Sequence, residues 1–316
     1  MLWFIAAIGA AGPVIAQQSW PVKPVRVISQ VAAGGVTDIV ARLYAEQMAK
    51  ILGQPWFVDN RPGGEGMIAL EAAARAAPDG HTFIVASQTI VINPLTMKSM
   101  SVDPARDLTP VATIVDSAAF ALIANAALPA RNLQEAIELA RAQPGKVSYG
   151  ITVPVSGMFG KWLARRTNTD LLEVPYKTTQ QVLTDTISGQ ISMCILSLPG
   201  IAELVRAGKV RVLAVTSGSR LNGWEDVPTV GETFPGFQMN AWVVVLAPRG
   251  TPAEVIQRAN RETDSIVRHP EFAKRLSQWG WFNGQGARTV QGTAEFIRTE
   301  AVHWGEIISR IGLQPQ

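Results

Sequence analysis

Three short uncharged stretches carry the groups best suited to hold a small molecule. Ala33-Gly34-Gly35-Val36-Thr37 follows a β-branched run and precedes a helical pattern from Asp38. It therefore offers successive main-chain N–H groups at the positive end of a helix, where a carboxylate fits. Thr37 can bond such an anion or cap the helix, and Asp38 complements the dipole from the first turn. Ser87-Gln88-Thr89 supplies two hydroxyls and an amide at the end of a third strand, where open α/β sheets place their ligands. Thr152 to Gly157, which includes Val155 and Ser156, does the same further along the chain. Three such loops facing one cleft form a neutral, donor-rich pocket that binds anions without a catalytic group.

Catalytic patterns are weak by comparison. A serine-hydrolase elbow needs Gly-x-Ser-x-Gly, and the nearest stretch, Pro154-Val155-Ser156-Gly157-Met158, lacks both glycines. His81, His269 and His303 are the three histidines, and no two are four residues apart, so a helical zinc site has no ligands. Gly64-Glu65-Gly66-Met67-Ile68-Ala69 fits the dinucleotide pattern Gly-x-Gly-x-x-Ala, yet Glu65 puts a negative charge where a pyrophosphate would sit. The plainer reading is a glycine turn that lets a helix pack close to its strand. No catalytic residue, metal or cofactor is expected.

The elements that must position the loops are short buried strands alternating with helices. Val25 to Val31, Trp56 to Val58 and Thr82 to Ala86 read as strands, and Asp38 to Leu52 and Met67 to Ala77 as the helices between them. A second series runs through helices at Pro129 to Ala142, Gly157 to Thr167 and Gln180 to Ser188. Its strands are Val147 to Tyr149, Leu172 to Val174, Ile191 to Leu196 and Val210 to Val215. Such alternation predicts crossover connections and a mostly parallel sheet. Ala241 to Ala247 then reads as a strand, followed by helices from Ala253, around Phe272 to Leu276 and near Glu295 to Ile307. The pattern implies two α/β lobes, with the chain crossing near residues 120 to 125 and again near 240.

Composition bounds the partners. The chain has 316 residues with 47% hydrophobic positions, long enough for about two domains of roughly 150 residues. A net charge of +3 is too thin for a phosphate-tracking surface, so nucleic acid is not expected. Cys194 stands alone, which rules out an internal disulfide and a Cys-rich metal site. Residues 1–16 form an apolar run too short to span a bilayer, ending in Ala16, and read as a secretory signal peptide that lacks the usual basic start. No later stretch reaches 18 uncharged apolar residues, so the exported chain is expected to be soluble.

Longer motifs are more specific. Pro24 to Arg75, PVRVISQVAAGGVTDIVARLYAEQMAKILGQPWFVDNRPGGEGMIALEAAAR, resembles the Bug family of solute-binding receptors of tripartite tricarboxylate transporters. The resemblance continues through Ile92-Asn93-Pro94, Val174-Pro175-Tyr176-Lys177, Leu213-Ala214-Val215-Thr216-Ser217 and Ala247-Pro248-Arg249-Gly250-Thr251-Pro252. It implies an α/β, two-lobed periplasmic binding protein of the venus-flytrap, type II-like class, with a ligand in the interlobe cleft. Lobe 1 is then 20–122 with 242–316, and lobe 2 is 123–241. The family places the ligand carboxylate on the loop after the first strand, here Ala33, Gly34, Gly35, Val36 and Thr37. It adds Ser87, Thr89 and Asn93, the second-lobe stretch Thr152, Val155, Ser156 and Gly157, and Trp242 on the crossing segment. It further implies a monomer in the periplasm that delivers a small organic carboxylate to the membrane components of such a transporter.

Two departures bear on the ligand. Relatives usually carry Pro where this chain has Ala33, which changes loop rigidity but keeps the backbone donors. They often carry Asp at the position of Leu196, so a polar contact is expected to be missing there. With the stiff apolar Thr152-Val153-Pro154-Val155 stretch, Phe159 and Trp242, this favours an apolar or aromatic body on the acid, as in terephthalate or benzoate-like acids, with plain C4 to C6 dicarboxylates close behind. The rival readings are a ligand-sensing partner of a two-component kinase and a carboxylate-ester hydrolase on the same scaffold.

Overall fold

A computed structural model describes residues 20–313 and 315 except 153, 199, 200, 222, 279, 280 and 285, with the main chain alone at Val36 and Pro154. The segment 1–16, read as a signal peptide, lies outside the described residues. The chain opens with β1 (Val25–Ser29), α1 (Val36–Leu52), β2 (Trp56–Asn60), α2 (Met67–Ala74), β3 (Thr82–Ser87) and α3 (Thr89–Thr96). One turn, α4 (Pro104–Asp107), leads into β4 (Leu108–Asn125). Next come α5 (Leu133–Ala142), β5 (Ser148–Ile151), α6 (Pro154–Thr167), β6 (Leu172–Pro175), α7 (Thr179–Ser188), β7 (Met193–Ser197), α8 (Ala202–Arg206) and β8 (Val210–Val215). The chain ends with α9 (Val230–Thr233), β9 (Asn240–Pro248), α10 (Ala253–Arg268), α11 (Pro270–Ser277), β10 (Trp281–Phe282) and α12 (Val290–Ile311).

Local chemistry sets the helix ends. Gly53 closes α1 in the left-handed conformation with φ 71°, and its N–H returns to Ala49 O. Asn132, Thr178 and Thr289 cap α5, α7 and α12 by accepting from N–H groups of the first turn.

The sheet corrects one expectation. β1 pairs in parallel with β2 and β3, and β5 with β6 and β7, as crossover connections require. The centre is antiparallel, because β9 lies between β3 and β4, and β4 pairs antiparallel with β7, β8, β9 and β10. The sheet is therefore mixed rather than mostly parallel. The cause is β4, an 18-residue strand that sequence periodicity does not announce. Its first part, through Ala119, pairs with β9, and its last part, from Phe120, pairs with β7 and β8. Register shifts between Pro110 and Ala118 bend it, so no single alternation survives along its length.

Thr216 fastens the changeover. It is fully buried, its Oγ1 accepts from Phe120 N–H at 2.9 Å, its own N–H donates to Phe120 O, and its carbonyl accepts from Met239 N–H. The two α/β halves are thus joined by β4 and by the return segment that Thr216 and Met239 flank.

Three apolar layers hold the halves. α1, α10 and α11 cover one face of the first half through Tyr44, Met48, Ile256 and Phe272. α7 and α8 cover the second half through Val182, Leu183 and Leu204. The third layer is continuous across both halves: Leu70 and Ile84 share it with Phe159, Leu213, Trp242 and Trp304. α12 lies along this layer, packing on α3 and β4 and also on α6.

Candidate binding site

Strand register brings the carboxyl ends of both halves to the changeover in β4. Ser87, the last residue of β3, pairs with Val243 near the start of β9, and Asn240 of β9 pairs with Ala119. From the other side Ser197, the last residue of β7, pairs with Phe120, and β5 runs parallel to β7. The loops after β1, β3, β5 and β7 therefore open toward one region, where α/β sheets bind ligands.

The loop after β1 needs both its glycines. Gly34 has φ +83°, a conformation side chains rarely adopt, and a Cβ on Gly35 would stand 2.9 Å from Val31 Cγ2 and 3.1 Å from Ala32 O. The expected row of open N–H groups is only partly available. Gly35 N–H donates to Ala32 O at 3.0 Å, and Gly34 N–H to Asp38 Oδ2 at 2.8 Å. The N–H groups of Ala33 and Thr37 keep no acceptor among the described residues, so they are the donors left for an anion. Asp38 is the organiser of this loop. Its carboxylate, 1% exposed, also accepts from Asn60 Nδ2 at 2.7 Å and Arg42 Nε at 2.9 Å. Burial by itself raises the Asp38 pKa, but hydrogen bonds from Arg42, Asn60 and Gly34 outweigh it and hold the carboxyl below its usual range. The Asp38–Arg42 ion pair leaves the loop neutral.

A side chain outside the predicted set joins the loops of the first half. Gln30, immediately after β1, donates from Nε2 to Ser87 Oγ and accepts at Oε1 from Thr89 Oγ1 at 3.2 Å. Gln30 also packs against Gly66 in the turn after β2. Asn93 is 1% exposed, and its Nδ2 donates to Glu65 O at 3.0 Å, so it ties α3 to that same turn. Beside them Gln88 is buried, and its amide oxygen has no hydrogen-bond partner among the described residues. Ser87 and Thr89 stay half-buried, with their outer sides open.

Several predicted contacts turn out to be structural. Ser156 is buried and its Oγ accepts from Thr152 N–H at 3.0 Å, while its carbonyl accepts from Tyr149 OH at 2.8 Å. Val155 and Gly157 are buried beside it, and only Thr152 of this loop is half-exposed among the described residues. Leu196, predicted to border the ligand, points into the α7 and α8 layer at 5% exposure; its successor Ser197 is the half-exposed residue, because strand side chains alternate faces. Trp242 is 1% exposed and lies in the continuous core, its Nε1 donating to Glu300 Oε2 at 2.7 Å and its ring edge-on to Phe296. Phe159 packs there against Tyr149, Trp162 and Phe237. The aromatic residues that favoured an aromatic ligand are thus core, and their argument for one lapses.

Among the described residues the region holds no nucleophile and base pair. His303 Nε2 bonds Gln238 O, His81 Nδ1 bonds Asp79 O, and His269 Nδ1 accepts from Glu271 N–H. Among the described residues no cluster of His, Cys, Asp or Glu could hold a metal ion, and no helix is long and apolar enough to cross a membrane.

Residues 40–313 match the family model described as Tripartite tricarboxylate transporter family receptor. This chain belongs to that family. Receptors of the family are periplasmic binding proteins and not enzymes, and they serve a tripartite membrane transporter. Among curated relatives, a UPF0065 protein of Bordetella bronchiseptica is 35% identical over 310 residues, covering 96% of this chain and 90% of that one. Among solved structures, R. palustris Rpa4515 with adipate is similar at TM-score 0.85 and 30% identity, covering 94% of this chain and all of the other. The periplasmic binding protein BugD is similar at TM-score 0.82 and 27% identity over 94% of this chain and all of BugD. The fold of this receptor is accordingly the α/β, two-lobed binding-protein class that the sequence motifs suggest.

Proposed function

We propose that this receptor captures a small aliphatic organic acid, most simply a dicarboxylate, between its two lobes. It then presents the acid to the membrane components of a tripartite transporter. The observation that carries the proposal is the convergence of uncharged strand-end loops from both halves on the β4 changeover, with the hydroxyls of Ser87, Thr89 and Thr152 half-exposed and the carboxylate of the β1 loop, Asp38, already paired. Such a site attracts an anion through amides and hydroxyls and repels nothing. The lobes that close are 20–122 with 242–316 and 123–241, and closure is a hinge motion about Phe120 and Thr216 that ligand binding favours. The adipate held by the similar Rpa4515 supports an aliphatic acid, as does the burial of Phe159 and Trp242. Export through residues 1–16 places the receptor in the periplasm, as a monomer.

A thermal-shift screen with mono- and dicarboxylates, aliphatic and aromatic, tests this reading. An acid present at about 100 times its Kd adds roughly 2.7 kcal/mol, or about 4 °C for a chain of this size. No rise with any acid refutes the function, and a rise confined to aromatic acids refutes the ligand class.

A further inference from the structure

We propose that Gln30 assigns opposite roles to the two hydroxyls of the β3 loop, so that the cleft prefers an acid bearing a hydroxyl beside its carboxylate over the same acid without one. The inference rests on the receptor reading above. A hydroxyl has one proton, and a neighbour that fixes its direction decides what the other side offers. Ser87 Oγ accepts from Gln30 Nε2, so the Ser87 proton is left to point away from Gln30 and serves as a donor. Thr89 Oγ1 donates its proton to Gln30 Oε1 at 3.2 Å, so outward it presents lone pairs alone and serves as an acceptor.

Both hydroxyls are half-buried, and no other hydrogen bond among the described residues engages them, whereas Gln30 is buried and fixed immediately after β1. They flank Gln88 at the strand end that meets β9 beside the changeover. A carboxylate accepts a hydrogen bond from the Ser87 hydroxyl, and an adjacent ligand hydroxyl donates one to Thr89 Oγ1. An acid lacking that hydroxyl leaves the Thr89 lone pairs facing apolar or empty space, which lowers its affinity. Gln30 is a positioning residue in this scheme, since it acts on the ligand only through Ser87 and Thr89.

Calorimetric titration of two acid pairs differing by one hydroxyl tests this: succinate with L-malate, and adipate with 2-hydroxyadipate. Wild-type protein is expected to bind the hydroxy acid of a pair several-fold more tightly. Ser87→Ala should weaken both members of the pair by about tenfold or more, the scale of one hydrogen bond to a charged group. Thr89→Val should weaken only the hydroxy acid, by roughly two- to tenfold. Gln30→Leu frees both hydroxyls to rotate and should bring the affinity ratio of the pair toward one. Binding of the acids with no hydroxyl preference overturns this inference and leaves the receptor reading standing. So does the reversed pattern, with Thr89→Val weakening both acids and Ser87→Ala only the hydroxy acid. Failure of all four acids to bind defeats the receptor reading and takes this inference with it.

Discussion

Replacing Asp38 with alanine should destabilise the protein by an amount that depends on pH in a defined direction. The Asp38 carboxylate is 1% exposed and accepts from Gly34 N–H, Asn60 Nδ2 and Arg42 Nε at 2.7–2.9 Å. Its loss removes the acceptor of Gly34 N–H and one of the two acceptors of Asn60 Nδ2, which keeps Val31 O at 2.9 Å; a hydrogen bond to a charged group is worth about 1.5–3 kcal/mol, while the half-exposed Arg42 guanidinium turns to water at little cost. A total of about 3 kcal/mol at pH 7 corresponds to roughly 4–5 °C in Tm, using about 2.1 cal/mol/K of unfolding entropy for each residue. The folded-state pKa of Asp38 lies below the unfolded value of about 3.9, so its stabilisation is fully present above that pH and disappears as pH falls through the folded pKa. Calorimetric melts of wild type and Asp38→Ala from pH 7 to pH 3 should therefore show a gap that is constant down to about pH 5 and narrows below pH 4. Other carboxylates titrate equally in both proteins and cancel in the difference. A gap below about 1 °C at pH 7, or one that widens on acidification, refutes the assignment of Asp38 as organiser of the β1 loop.

Three further outcomes follow from the core and the changeover. Trp242→Phe should cost about 1–2 kcal/mol in chemical denaturation, through loss of the bond to Glu300, with ligand affinity unchanged within about twofold; a large affinity loss would return Trp242 to the cleft. Burial raises the Glu300 pKa despite the bonds and charges that oppose it, so Glu300→Gln should stabilise the protein by about 0.5–1 kcal/mol at pH 7. That gain should vanish as pH falls below about 4, where wild-type Glu300 is protonated in both folded and unfolded chains; a gain that persists in acid contradicts the assignment. Thr216→Val removes the Oγ1 acceptor of Phe120 N–H at the changeover and should cost about 1–3 kcal/mol, together with a change in the ligand-induced compaction seen by small-angle scattering; unaltered stability would show that the side chain does not fasten the two halves.

Much of the scaffold was legible in the residues. The alternation of β-branched runs with helical periodicity locates β1, β2, β3 and their intervening helices within a few positions, because those elements bury one face against immediate neighbours. The Gly34-Gly35 pair marks the loop after β1 for a local reason: one residue needs a positive φ and the next has no room for a side chain. β4 was illegible because its partners change at Phe120 and its register slips before that, so burial along it follows no single period. The Leu196 reading failed by one residue, which in a strand moves a side chain to the opposite face.

Composition and spacing by themselves determined that this chain builds two α/β halves and carries neutral loops rich in hydroxyls and amides at their strand ends. Which of those groups remain free to meet a ligand was decided only in three dimensions. Asn93, Ser156 and Gly34 are polar in any reading, yet the fold gives their donors or acceptors to Glu65, Thr152 and Asp38. Ser87 and Thr89 acquire their directions from Gln30, 57 and 59 positions away along the chain. A hydrogen-bonding group is written in the sequence, but its partner is set by packing between distant segments, and a donor or acceptor already satisfied within the fold is closed to the ligand.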